Sequence, residues 1–251
     1  MLILKSLKYN VEKSTFFNGG IMKRRYKLLI IIGVGVAITL FISNLQGPSK
    51  TTLTAIGDSF SLGMTSYKIP GASFNDYLKE YILKRNDLEN YNDEFSVLHL
   101  RVKDLNDYLD RNVIGKRTHQ PLKQIIDKSD IVTIAIGMDE FVEKSLIDKI
   151  SEDDINNYIK DMDKFLRNVR DFYNKKLIVI GLYKANNFLE KDVININNLL
   201  KKLCGTYNVT FIDVLPISLK EDYYLDTNSY YLNYKAHKKI AKYLYEVYKN
   251  I

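Results

Sequence analysis

Two patterns of polar and apolar positions divide this chain. Residues 28–47, LLIIIGVGVAITLFISNLQG, carry no charge and no polar stripe. About 20 such residues at a 1.5 Å rise match a hydrocarbon core about 30 Å thick, so the run predicts one membrane-spanning helix. From Thr51 onward, short β-branched runs alternate with amphipathic stretches, the pattern of a parallel sheet with helices on both faces. Strands are expected at Thr52–Ile56, Phe95–Leu100, Ile131–Ile136, Leu177–Gly181 and Val209–Val214, and helices near 72–85, 103–110, 120–128, 152–174, 188–204 and 234–249. The runs IVTIAI and LIVIG are almost continuously apolar, as befits strands buried on both faces. Ser151-Glu152-Asp153-Asp154 opens the longest helix with a serine cap and an acidic first turn, and both features favour a helix start. Ile155, Tyr158, Ile159, Met162, Leu166 and Val169 follow at helical spacing, and Ile240, Leu244, Val247 and Tyr248 repeat the pattern in the last helix. Such stripes read as core faces. No internal repeat or second domain is visible, and five strands in this order predict one flavodoxin-like three-layer sheet.

Charge sharpens the division. The chain has 251 residues and a formal net charge of +7, from 37 Lys/Arg and 30 Asp/Glu. Residues 1–47 contain seven Lys/Arg and one Glu, which leaves 30 and 29, a net of +1, for residues 48–251. A nearly neutral domain offers no evident footprint for a nucleic-acid backbone. The basic cluster Met22-Lys23-Arg24-Arg25-Tyr26-Lys27 stands directly before the apolar run, so it should stay cytoplasmic and leave the domain outside. The expected organisation is a cytoplasmic tail at 1–27, an anchor at 28–47 in the cell membrane and an extracytoplasmic domain at 48–251. A cleaved signal peptide is the alternative, although no A-x-A-like site follows the run. Asn18-Gly19-Gly20-Ile21-Met22 also reads as a translated ribosome-binding site ahead of a start at Met22, in which case residues 1–21 are not part of the native protein. Cys204 is the sole cysteine, so neither an internal disulfide nor a thiolate metal site can form.

Candidate chemistry begins with Ala55-Ile56-Gly57-Asp58-Ser59-Phe60-Ser61-Leu62-Gly63 at the end of the first strand. Open α/β sheets place their sites there. A serine after a tight glycine turn can present its hydroxyl above the sheet edge, with backbone N–H groups nearby for an oxyanion. The plain alternative is that Asp58 and Ser59 cap the next segment.

The run IGDSFSLG resembles the first block of the SGNH (GDSL) hydrolases, bacterial esterases and lipases in which the Ser of G-D-S is the nucleophile. Ile131–Phe141, IVTIAIGMDEF, is similar to their strand and G-x-N-D block, and Asn228–Ala241, NSYYLNYKAHKKIA, to their last block, D-x-x-H-P-N followed by Gly and a helix. The resemblance implies the SGNH fold with a five-stranded parallel sheet and an ester hydrolase acting on acyl or acetyl esters of lipid or envelope polymer. It assigns Ser59 as nucleophile, and no cofactor or metal.

The departures bear on each catalytic role. Tyr231 stands at the position of the family's catalytic His and Asn228 at that of its Asp. Asp139 replaces the Asn of the oxyanion hole, Glu140 follows it, and the second block shows Arg101-Val102-Lys103 with no glycine. Tyr, with an ordinary pKa near ~10, is a poor base at neutral pH, and Asn cannot orient and stabilise an imidazolium. An ionised Asp139 offers no donor to an oxyanion. His237 is the one nearby alternative base, a turn inside the last helix, while His99 reads as part of the second strand and His119 as a helix start. Asp58, Asp139 and Glu140 lack metal-ligand spacing. The stretch Tyr223–Tyr234 holds five Tyr and reads either as a loop packed on the last helix or as an aromatic lip for carbohydrate or protein. Two functions follow from the sequence: an extracytoplasmic serine esterase, or a catalytically degenerate relative that binds a ligand or protein through the old cleft.

Overall fold

The computed structural model describes residues 50–225 and 229–250. The tail and anchor expected at 1–27 and 28–47 lie outside them, as does Asn228. Among the described residues, no helix is long and apolar enough to cross a membrane.

Five parallel strands form one sheet in the order β2-β1-β3-β4-β5. They are β1 (Thr51–Gly57), β2 (Leu88–Ser96), β3 (Ile131–Ala135), β4 (Lys176–Ile180) and β5 (Thr210–Ile212). The connecting helices are α1 (Ser59–Leu62), α2 (Phe74–Lys84), α3 (Val102–Asp110), α4 (Leu122–Lys128), α5 (Met138–Ile147), α6 (Glu152–Arg170), α7 (Glu190–Thr206), α8 (Leu215–Ser218) and α9 (Tyr234–Lys249). α9 packs on α2, and α3 and α7 flank α6, giving the expected three layers.

Every residue of β3 is buried, because helices cover both faces of the central strands and leave water no approach. The order reverses between β1 and β3, whose register runs from Leu53 opposite Ile131 to Gly57 opposite Ala135. Open α/β sheets form their binding crevice beyond the carboxyl ends of the strands at such a switch point. Ser59 follows β1 there and Asp139 follows β3, so topology alone brings the two together.

Local signals carry the helices. Ser151 caps α6 with a reciprocal box: its hydroxyl accepts from Asp154 N–H at 3.2 Å, and the Asp154 carboxylate accepts from Ser151 N–H at 2.9 Å. Asn233 caps α9 through its side-chain oxygen, which accepts from Lys235 N–H at 3.0 Å and Ala236 N–H at 3.2 Å. Cys204 is buried in α7, and burial pushes its thiol up to about 12.

Two expectations need correction. The second strand is Leu88–Ser96, not Phe95–Leu100. Its sequence LENYNDEFS is polar because the strand lies at the sheet edge, where only part of it is covered. His99 therefore lies beyond the strand, in the loop at the carboxyl edge, and not within it. α5 was not anticipated: MDEFVEKSLI has a short apolar face, and the left-handed Gly137 starts it.

Candidate active site

β1 ends in a conformation that glycine alone permits. Gly57 has φ +150°, and a Cβ there would stand 1.8 Å from the Ala135 carbonyl oxygen. The strand consequently turns tightly against β3, and Asp58 N–H donates to that same carbonyl at 3.0 Å. Asp58 then caps α1 by accepting from Phe60 N–H at 3.0 Å. The capping role read for Asp58 and the presentation of Ser59 at the sheet edge are two results of one turn. A second forced glycine, Gly137 at φ +107°, leads from β3 into α5 and packs against the Tyr158 ring. It delivers Asp139 opposite Ser59.

Asp139 and Ser59 are directly bonded. Ser59 Oγ–H donates to Asp139 Oδ2 at 2.5 Å, Ser59 N–H donates to the same oxygen at 3.1 Å, and His99 N–H does so at 2.8 Å. Two converging backbone N–H groups and a hydroxyl thus hold one carboxylate oxygen, and charge-assisted bonds of this kind are about twice as strong as neutral ones. His99 donates from a φ of +58°, a left-handed conformation in which glycine is the usual occupant. The sequence reading missed this donor. The available signal was a His three residues past a strand, a residue type enriched at positive φ.

Below this bond lies a second carboxyl. Asp58 Oδ2 accepts from Asp139 N–H at 3.1 Å. Asp58 is fully buried, and that burial, with the Asp139 charge adding to it, pushes its pKa up to about 8. Burial thus favours the protonated form of this carboxyl.

The remaining candidates stand as follows. Tyr231 is half-buried on the Ser59 side of the site, while the Ser59 hydroxyl itself bonds to Asp139. Burial, then the charges of Asp139, Asp58 and Glu143, raise its pKa, so the phenol stays neutral and accepts no proton from serine. Its main chain is tied to Ser229, whose hydroxyl donates to Tyr231 O at 2.9 Å. His237 is a core residue: its Nδ1 accepts from Phe74 N–H at 3.0 Å and its ring stacks parallel to Phe74 with centroids 6.0 Å apart. Burial lowers its pKa to about 4. Among the described residues it makes no hydrogen bond to Ser59. His99 points its imidazole outward, with Nδ1 at 2.5 Å from Glu143 Oε1, and Arg101 Nη2 lies 3.3 Å from the other oxygen of Glu143. Among the described residues no cluster of His, Cys, Asp and Glu could hold a metal ion. Of the tyrosine-rich stretch, Tyr223 O accepts from Asn233 N–H at 2.8 Å and Tyr230 O accepts from Tyr183 OH at 3.0 Å. These bonds belong to a loop packed on the last helix. Ser59 itself is only 1% exposed.

The family description GDSL-like Lipase/Acylhydrolase matches residues 53–244. No curated protein matches the chain. Among solved structures, the lipase Lip_vut3 from a goat rumen metagenome is 16% identical, with a TM-score of 0.63 over 78% of this chain and 96% of its own. Axe2, an acetylxylan esterase from Geobacillus stearothermophilus, is 14% identical, with a TM-score of 0.58 over 79% and 94%. LAE5, an α/β hydrolase enzyme from the metagenome of Lake Arreo, is 16% identical, with a TM-score of 0.58 over 79% and 94%. At these identities the likeness is one of fold. The family match covers most of the chain and takes in both Ser59 and Asp139, and on that ground the chain belongs to the GDSL-like lipase/acylhydrolase family.

Proposed function

We propose that this protein is a non-hydrolysing member of its family: an esterase-fold module held at the outer face of a membrane by residues 28–47, binding an acyl or acetyl ester or an envelope polymer through the old cleft. One observation carries the reading. Asp139 Oδ2 accepts the Ser59 and His99 N–H groups, so a carboxylate oxygen of the protein itself fills the position an oxyanion would need. An ester carbonyl entering there meets a negative charge where an amide donor should be, and each lost oxyanion donor costs on the order of 10²–10³ in turnover. By resemblance Ser59 also lacks an imidazole partner, since Tyr231 stands at the histidine position of the family's last block, and His237 accepts from Phe74 N–H instead. Catalytic mutants of Axe2 at a serine, an aspartate and a histidine are among the matched structures. By resemblance, this chain keeps only the serine of that trio.

A second reading rests on the 2.5 Å contact between Ser59 Oγ and Asp139 Oδ2. Asp139 would take the serine proton while Oγ bonds to the ester carbon. The alkoxide leaving group would then collect that proton, and water would release the acyl group from Ser59. Short- and medium-chain acyl ester hydrolysis by the purified full chain separates the two, run beside Ser59→Ala and the double variant Asp139→Asn/Tyr231→His. The non-hydrolysing reading expects the wild type to match Ser59→Ala, with turnover appearing only in the double variant. Turnover in the wild type that Ser59→Ala abolishes would establish the serine esterase instead.

A further inference from the structure

The neutrality of the domain conceals a segregated charge. Helix α9, YKAHKKIAKYLYEVYK, carries five Lys and one Glu, a net of +4, within a domain whose total is +1. Helical geometry puts the lysines on one stripe, since positions 235, 238, 239, 242 and 249 recur at three- and four-residue steps. Ala236, Ile240, Ala241 and Leu244 fill the opposite, buried side. The core thus fixes the rotation of the helix and aims the whole stripe outward over about 21 Å of helix length.

Most of this charge is uncompensated. Lys249 pairs with Glu246, the only acid on the helix. Among the described residues, Lys235, Lys238, Lys239 and Lys242 form no ion pair, whereas Lys79 on the adjoining α2 is matched by Asp76. Lys238 instead lies over the Tyr77 and Tyr234 rings, at 5.2 and 5.4 Å from their centroids. Beside the stripe runs a groove of about 350 Å³ lined by Lys239, Lys242, Tyr243, Ile217, Pro216 and the two acids Asp213 and Glu246. Asp213 is exposed at the groove, and its carboxylate accepts from Leu215 N–H at 3.0 Å. Tyr234 and Tyr243 remain 58% and 51% exposed at the margins. Their flat faces and hydroxyls suit polyol or sugar units more than a bare ion.

We infer that the outer face of α9 is a docking surface for a linear polyol-phosphate polymer, lying along the lysine stripe with its backbone units against the tyrosines. Charge complementarity selects the partner: lysines one helical turn apart meet regularly spaced phosphates, and releasing the counterions of the polymer drives the association. Nucleic acid is the competing linear polyanion, and the oligonucleotide arm of the test decides between the two. The surface lies apart from Ser59 and Asp139, so the inference does not depend on whether the cleft hydrolyses.

The test is binding of a labelled poly(glycerol phosphate) chain to the full-length protein in a neutral detergent, by fluorescence anisotropy between 50 and 200 mM salt. Lys235→Gln/Lys238→Gln/Lys239→Gln/Lys242→Gln is compared with a control that removes equal charge elsewhere, Lys160→Gln/Lys191→Gln/Lys201→Gln/Lys202→Gln. With about 0.7 counterions released per phosphate neutralised, four contacts make the salt slope steeper by ~3, or ~50-fold in affinity over this range. The stripe variant should lose that component and the control should keep it. Equal losses in the two variants would overturn the surface. Tighter binding of a single-stranded oligonucleotide of equal charge would overturn the choice of partner.

Discussion

Asp58 makes the stability of the domain fall as pH rises, and the effect can be worked from its surroundings. Its carboxyl is fully buried against the Asp139 charge, and its pKa stands at about 8 where the ordinary value is 3.8. A carboxyl raised in this way binds its proton more tightly in the folded state than in the unfolded chain. Its stabilising contribution is therefore complete below pH 3.8, declines as pH rises, and is exhausted once pH passes about 8. At ~1.4 kcal/mol per pH unit, that interval corresponds to about 6 kcal/mol as a ceiling. Asp58→Asn removes the ionisation while its amide oxygen still accepts from Phe60 N–H. It gives up the bond from Asp139 N–H, at a pH-independent cost of about 1–3 kcal/mol. The variant should be the less stable protein at pH 4, draw level between about pH 4.5 and 6, and be the more stable one at pH 8. Urea unfolding of both proteins at half-unit intervals from pH 4 to 9 reads the difference directly, free of other titrating groups. Two stability curves that stay parallel within 0.5 kcal/mol across that range would refute the reasoning, because Asp58 would then be no more protonated in the fold than in water.

His237 tilts the acid side in the opposite sense. Its pKa is lowered from 6.5 to about 4 by burial, so stability is lost as pH falls through that window. His237→Asn, which keeps an acceptor for Phe74 N–H, should remove a loss of about 3 kcal/mol, and an unchanged acid slope would contradict this. Arg170 donates to the carbonyls of Tyr207, Tyr173, Lys175 and Asn208 at 2.7–3.0 Å. Arg170→Ala should cost about 2–4 kcal/mol in denaturant unfolding, and a change below 0.5 kcal/mol would show that water replaces those bonds freely. Gly57→Ala should abolish soluble folded protein, given the 1.8 Å approach to Ala135 O, whereas Gly205→Ala in α7 has nothing within 4 Å and should raise stability by about 0.5–1 kcal/mol in the same assay.

The apolar runs IVTIAI and LIVIG, the Ser151 box and the stripe of α6 were all legible in the sequence. Each depends on local chemistry: burial on both faces of a strand, orphan N–H groups at a helix start, a 3.6-residue period. The position of Ser59 was legible too, because Gly57 and Asp58 make a turn that few other residues permit. β2 was misplaced because an edge strand needs no continuous apolar run, so LENYNDEFS carries little periodic signal. The substitution of Asp139 for an amide could be read, but its consequence could not. Whether a carboxylate repels an oxyanion from a distance or occupies its place depends on where Ser59 and His99 aim their N–H groups. That direction is set by β1 and β3 lying side by side and by the left-handed turn at His99, residues 40 positions from Asp139 in the chain. The lysines of α9 were likewise plain in the sequence, but averaged into a net charge of +1. Only packing of the opposite helix face against the core turned them into one exposed stripe. Sequence determined which groups this protein owns and the elements that carry them; the tertiary structure decided which of those groups meet, because contacts between distant segments follow from the sheet order and not from any local pattern.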